Sequence, residues 1–216
     1  MPSFLGRVNL HAMSDLILLR HGETAWSVSG QHTGRTDIPL TAHGEEQARS
    51  LAPWMARRTV ARVFVSPLSR ARKTAELAGL PASGDALVIE PNLQEWDYGA
   101  YEGRTRVDVH RDRPTWDLWH DGVPPGTGEH PGESIDQVAA RLDAVLVRIR
   151  LALNENRGDV VAVAHGHSLR VLTARWLEQA PQLGARFRLD PAHLSLLGFE
   201  NGLTVIRQWN FAPGDE

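Results

Sequence analysis

The sequence predicts an α/β fold, a three-layer sandwich around a mostly parallel central sheet with an antiparallel edge. Three observations carry this. Two continuous apolar runs, Leu16-Ile17-Leu18-Leu19 and Val160-Val161-Ala162-Val163-Ala164, read as strands buried on both faces. Strand-like and helix-like stretches alternate along most of the chain. Near the end, residues 193–200 and 203–209 flank Asn201-Gly202, a strong hairpin signal.

The elements follow in order. The first strand covers about residues 15–19 and runs into Arg20-His21-Gly22. Residues 27–37 are rich in turn formers and read as a loop. Thr41 suits a helix N-cap, and a helical pattern with Ala48, Leu51, Ala52 and Met55 on one side continues to about Arg58. Arg62-Val63-Phe64-Val65 is a second strand, ending in Ser66-Pro67-Leu68-Ser69-Arg70. A helix follows through Ala78, with Gly79 as its stop. Residues 86–89 form a third strand, and 92–103 a loop carrying Glu95, Trp96, Asp97 and Glu102.

Residues 111–133 have a different texture, with Trp116, Trp119, four prolines and several glycines. They read as a short helical piece and a covering loop, because two tryptophans are costly in a solvated tether. Whether these tryptophans serve the core or cover substrate stays open. Ser134-Ile135-Asp136-Gln137 fits the capping-box pattern. The helix it opens carries Ile135, Val138, Leu142, Val145 and Ile149 on one face. The second apolar run ends, like the first, in histidine and glycine, His165-Gly166, and a helix runs from about Ser168 to Gln179. There is no internal repeat and no domain boundary. One domain is expected over 14–216, with a cap-like insertion about 104–133 and an N-terminal tail over 1–13. Met13 is a second candidate start, since the strong pattern begins just after it.

Composition narrows the function classes. The 216 residues are 42% hydrophobic and 23% charged, ordinary for a globular chain with one sizeable core. The 23 basic and 26 acidic residues leave a net charge of -3, so no global basic field points to nucleic acid. An anion site must therefore be a local gathering of arginine and histidine. Cysteine is absent, which removes thiolate catalysis, disulfides and cysteine-ligated zinc. No apolar run approaches the roughly 20 residues that span a bilayer. Residues 1–12 show no signal-peptide pattern, and a cytoplasmic location is expected.

The chemistry gathers at strand ends. In open α/β sheets, ligands sit beyond the carboxyl ends of the strands. Two buried strands deliver His21 and His165 there, each followed by a glycine that lets backbone approach a ligand. Arg20 and Arg70 lie alongside, and guanidinium forks match phosphate oxygens in pairs. A neutral imidazole nitrogen can attack phosphorus while cations hold the equatorial oxygens. The attack needs a fixed tautomer, which a backbone carbonyl or Glu23 could hold. Glu95, beside Trp96 and Tyr98, is the candidate acid for the leaving oxygen, and burial there is expected to raise its pKa. His165-Gly166-His167 is not read as a metal pair, because alternate residues point apart and no third ligand is evident. His43, His110 and His130 are expected to be exposed.

These residues carry a resemblance. Leu19-Arg20-His21-Gly22-Glu23-Thr24 resembles the signature of the histidine phosphatase, or phosphoglycerate mutase-like, superfamily. The similarity continues in order through Thr33-Gly34, Ser66-Pro67-Leu68-Ser69-Arg70-Ala71, Glu95, Glu102-Gly103, Gly132-Glu133-Ser134 and Ala164-His165-Gly166. It implies that His21 is the phosphorylated nucleophile and that Arg20, Arg70 and His165 bind the phosphoryl group. It implies that Glu95 donates and then accepts the proton, with no cofactor and no metal. Thr33 and the Gly166 backbone would add hydrogen bonds; Gly34 and Tyr98 join the expected substrate-binding set. Ser27 stands where the family often has asparagine, and His167 where mutases commonly do.

A phosphatase is favoured over a phosphoglycerate mutase. Trp96 stands where an arginine commonly follows the mutase glutamate, and Pro114-Thr115-Trp116-Asp117 lacks the mutases' arginine pair. The stretch from Glu95 to Gly103 resembles a subgroup that includes sedoheptulose-bisphosphatase-like enzymes and a broad acid phosphatase, which implies sugar phosphates or other small phosphomonoesters. The alternatives are a phosphoglycerate mutase and a catalytically idle relative that binds phosphorylated ligands. The expected partner is a small phosphorylated substrate, with no nucleic acid and no membrane.

Overall fold

The computed structural model describes residues 14–213; the expected tail lies outside them. The chain runs β1 (Leu16–Arg20), α1 (Ala25–Ser29), α2 (Ala42–Ser50), α3 (Ala52–Met55), β2 (Val60–Val65), α4 (Ser69–Leu77) and β3 (Leu87–Ile89). It continues through α5 (Arg106–Asp112), α6 (Leu118–Asp121), α7 (Ile135–Asn154), β4 (Asp159–Ala164), α8 (Gly166–Trp176), β5 (Leu194–Glu200) and β6 (Leu203–Phe211). The strands form one sheet in the order β3-β2-β4-β1-β5-β6. Pairing is parallel from β3 through β1, and antiparallel at β5 and β6.

The unbroken apolar runs reflect burial on both faces. Alternate residues of β1 and β4 point to opposite layers. Ile17, Leu19, Val161 and Val163 join Leu51, Met55, Ala71 and Ala75 on one side. Leu16, Leu18, Val160 and Ala162 join Leu142, Val145, Ile149 and Trp176 on the other. The face of α7 toward the sheet is fully sequestered at Val138, Leu142, Val145 and Ile149. Each such side chain contributes about 1.5–3 kcal/mol by leaving water. The reciprocal Ser134–Gln137 capping box closes that helix start.

Three expectations about element bounds are corrected. The helix expected from Thr41 to Arg58 breaks at Leu51 into α2 and α3, because Pro53 has no N–H to continue the ladder. The expected loop at 27–37 begins inside a helical turn, α1, closed by a reciprocal Thr24–Ser27 cap. The last helix starts earlier and ends earlier than expected, with His165 at its N-cap position. The hairpin at Asn201-Gly202 is as expected, with φ values of 50° and 82° at its two central residues.

The sheet places three strand ends side by side. His21 N–H donates to the Ala164 carbonyl and Ser66 N–H to the Val163 carbonyl, both at 3.0 Å, so the ladder continues past β1, β4 and β2. The loop after β1 is pressed onto the start of α2. A Cβ on Gly22 would overlap the Gly44 carbonyl oxygen, and one on Gly44 would overlap that of Glu23. Thr41 reinforces this contact, its N–H donating to the Glu23 carbonyl and its hydroxyl to the Glu23 carboxylate. Gly44→Ala is therefore expected to cost about 2 kcal/mol, since backbone rather than a flexible side chain must yield. Urea unfolding of both proteins measures it, and an unchanged midpoint would contradict the close packing.

Candidate active site

Beyond the strand ends lies a cavity of about 430 Å³. Arg20, His21, Glu95, Tyr98, Thr33 and Gly166 stand on its wall, together with Ser27. The 104–133 insertion forms another part of it: Trp116, Leu118 and Trp119 line the cavity while being nearly buried. The two roles weighed for these tryptophans are thus combined.

His21 has a defined tautomer. Its Nδ1 lies 2.7 Å from the Gly22 carbonyl, which can only accept, so Nδ1 carries the proton. The backbone carbonyl holds the ring; Glu23 instead accepts from Thr41. Nε2 has no partner among the described residues and keeps its lone pair. Burial, reinforced by the charges of Arg70 and Arg20, pulls His21 well below the ordinary imidazole value of 6.5, so the ring is neutral. A neutral, oriented nitrogen beside two guanidinium groups can act as a nucleophile toward an anionic phosphorus centre.

Arg20 and Arg70 differ in how much they are already committed. Arg20 donates to the Leu189 carbonyl through Nη1, while its buried Nε has no partner among the described residues. Arg70 is wholly buried and faces carbonyls: Nη1 donates to Thr36 O, Nη2 to Gly34 O and Thr33 O, and Nε to His165 Nδ1 at 3.1 Å. His165 then carries its proton on Nε2, 2.7 Å from the Ser66 hydroxyl. Burial, with the charge of Arg70, holds His165 well below its usual value too. Its ring centre lies 5.1 Å from that of His21. His165, Arg70 and Gly34 thus stand behind the cavity wall rather than on it. Gly34 is there because a Cβ would crowd the Trp96 carbonyl and the Glu102 carboxylate.

Glu95 is almost buried, and its surroundings are more polar than its aromatic neighbours in sequence imply. Oε1 accepts from the Trp96 and Ser168 N–H groups at 2.9 and 2.7 Å, and Oε2 from the His167 N–H at 2.9 Å. Two of these donors open α8, where the helix dipole also favours negative charge. The loop around Glu95 is held from below by Arg141, which donates to the Asn92, Gln94 and Glu95 carbonyls and pairs with Glu133. Ser27 and Thr33 reach the wall, but both hydroxyls are used locally, on Thr24 O and Gln31 O.

Several residues here escaped the sequence reading: Ser66 as partner of His165, Thr74 as acceptor for Gly22 N–H, Arg141 beneath Glu95, and His32 on the wall. Ser66 lies in the Ser66-Pro67-Leu68-Ser69-Arg70-Ala71 stretch that carries the resemblance, but its role as a partner of His165 is not readable from it. Of the histidines expected to be exposed, His43 is, but His110 and His130 are half-buried. The Nδ1 of His130 is buried without a partner among the described residues.

His21, His165 and His167 are held neutral in the fold, chiefly by burial. In the unfolded chain they titrate near 6.5, so that state binds more protons as pH falls below about 6.5. Stability present above that pH is expected to be lost progressively below it. Denaturant midpoints at about pH 7.5 and 5 test this, and a flat profile would contradict neutral burial.

Comparison with known proteins agrees with this geometry. The pattern of the histidine phosphatase superfamily (branch 1) matches residues 16–212. An acid phosphatase of Mycobacterium tuberculosis is 38% identical over 194 residues, covering 88% of this chain and 89% of its own. The sedoheptulose 1,7-bisphosphatase of Saccharomyces cerevisiae is 36% identical over 186 residues, covering 74% of this chain and 66% of its own. The solved structure of the product of open reading frame Rv3214 of Mycobacterium tuberculosis superposes with a TM-score of 0.81 at 36% identity, covering 92% of this chain and 98% of that one. With a matching family pattern over almost the whole described chain, and the histidine-bearing strand ends side by side, this protein belongs to the histidine phosphatase superfamily.

Proposed function

We propose that this chain is a metal-independent phosphomonoesterase that hydrolyses sugar phosphates or other small phosphomonoesters through a phosphohistidine on His21. The observation that carries the reading is the state of His21: Nδ1–H spent on the Gly22 carbonyl, Nε2 bare and open to a cavity flanked by Arg20. In the first step Nε2 forms a bond to phosphorus as the ester P–O bond breaks, and Glu95 hands a proton to the departing oxygen. In the second, water attacks phosphorus, Glu95 takes its proton, and the P–N bond breaks to restore His21. Arg20, whose buried Nε lacks a partner among the described residues, takes phosphoryl oxygens, and Arg70 supplies charge from behind. His165 is assigned to orienting Arg70 and to the phosphoryl pocket. Thr33, Ser27, Tyr98 and the Gly166 backbone contribute to the wall around the substrate.

A hydrolase fits the surroundings of Glu95 better than a mutase does. Trp96, which follows Glu95, is fully buried and donates through Nε1 to the Glu133 carbonyl, so it offers no cation to a second phosphate or a carboxylate. The relatives named as phosphatases support the same reading. His21→Ala is expected to lower turnover of an aryl phosphate by about 10⁴-fold or more, while a chelator leaves the unsubstituted enzyme active. Acid quenching during turnover is expected to trap an acid-labile phosphohistidine. Activity lost to chelator, or 3-phosphoglycerate converted to 2-phosphoglycerate without release of phosphate, would overturn the proposal.

A further inference from the structure

The cavity wall also carries two histidine side chains that the proposed reaction does not use. His32 and His167 both reach the wall. They flank the ring of Tyr98, with centroids at 4.9 and 5.8 Å. Each is braced by a tryptophan of the insertion: His32 by Trp116 at 5.6 Å, edge to face, and His167 by Trp119 at 5.5 Å. Trp96 closes on His167 from another side. Neither ring has room to turn freely.

The hydrogen bonds of the two rings are opposite in sense. His32 Nδ1 lies 2.7 Å from the Arg104 carbonyl. A carbonyl only accepts, so Nδ1 carries the proton and Nε2 is a bare acceptor. His167 Nδ1 lies 2.6 Å from the Tyr98 hydroxyl. Nδ1 of His167 is the one acceptor within reach of the buried Tyr98 hydroxyl among the described residues, so the O–H donates to it and Nδ1 bears no hydrogen. His167 Nε2 therefore carries a hydrogen. Burial also keeps both rings neutral. Neither Nε2 has a partner among the described residues.

We propose that His32 and His167 form a fixed acceptor and donor pair that reads hydroxyl groups on the alcohol side of the substrate, so that the site selects phosphomonoesters of polyhydroxylated alcohols over alkyl esters of the same length. This rests on the phosphatase reading above and adds the class of leaving group to it. An aliphatic hydroxyl both donates and accepts, so neighbouring hydroxyls satisfy both nitrogens, whereas a methylene chain leaves both unpaired in a desolvated wall. Tyr98 is a positioning residue: its hydroxyl sets which nitrogen of His167 bears the hydrogen.

The test compares sorbitol 6-phosphate with n-hexyl phosphate, which share a six-carbon chain and differ in its hydroxyls. Phosphate release is measured on the unsubstituted enzyme, and calorimetric affinity in the His21→Ala background, where no turnover is needed. The preference for the sorbitol ester is expected to fall about ten-fold or more in His167→Phe and in His32→Phe, and less in Tyr98→Phe. His167→Gln, which keeps an N–H of similar reach, is expected to recover part of it. A fall under about three-fold in both phenylalanine variants would overturn the pairing. Phosphate release with that flat preference would leave the phosphatase reading standing. The expected loss of binding preference with no phosphate release in the unsubstituted enzyme would support the pairing and sink the phosphatase reading. Nitrogen-15 spectra of the unsubstituted protein give a check free of any folding defect. They are expected to show a proton on Nδ1 of His32 and on Nε2 of His167, and the opposite tautomer at either ring would overturn the proposal.

Discussion

A guanidinium group with no exposure to water organises this end of the molecule. Charge buried without partners costs several kcal/mol, so Arg70 must collect acceptors from wherever the chain can supply them. It takes three carbonyls from the loop after α1 and one imidazole nitrogen from the end of β4. That demand folds residues 33–36 back over the strand ends. It fixes the tautomer of His165, which passes the constraint on to Ser66 at the end of β2. The charge also helps to keep His21 neutral, after burial itself. One buried cation thus joins three strand ends, one loop and the protonation of the candidate nucleophile.

Glu95 faces the same problem with the opposite sign, and the solution differs. Its carboxylate is met by backbone N–H groups rather than by a side-chain cation, two of them from the first turn of α8. Backbone donors hold orientation without competing for the phosphoryl group's cations. The cations that the loop does use, Arg141 and Arg35, pair with Glu133 on the far side. Burial of Glu133 would raise its pKa, but the hydrogen bonds and charge of Arg141 prevail and lower it. Positive charge around the cavity is therefore spread over several places: Arg20 and Arg70 on the proposed phosphate side, Arg106 and Arg170 elsewhere along the wall, and Arg141 beneath the loop.

The insertion between Glu95 and α7 shows how a short chain segment serves packing and recognition together. Trp116 and Trp119 are nearly buried, yet each packs against a cavity histidine. Trp116 is itself tied by Nε1 to the Gly122 carbonyl, and Arg170 stacks over Trp119 at 4.7 Å while donating to Gly184 and Ala185. A wall built from aromatic rings with fixed polar edges leaves little freedom in the shape it offers a ligand.

Much of this was legible in the sequence, for a definable reason. A strand covered on both faces must be apolar throughout, so β1 and β4 announce themselves, and with them the positions of His21 and His165. The Asn201-Gly202 turn and the Ser134 cap are equally local, and the ordered motifs mark Arg20, Arg70 and Glu95. What the sequence could not decide was which groups meet. The tautomers of His21, His165, His32 and His167 depend on carbonyls or hydroxyls contributed by Gly22, Ser66, Arg104 and Tyr98. The placement of Arg70 behind the wall depends on carbonyls over thirty residues away, at Thr33, Gly34 and Thr36. Apolar periodicity records how much of an element is buried, because burial acts on each residue separately. A hydrogen-bond partner across the fold leaves no such mark, because any backbone carbonyl serves and only the tertiary structure brings one within 3 Å.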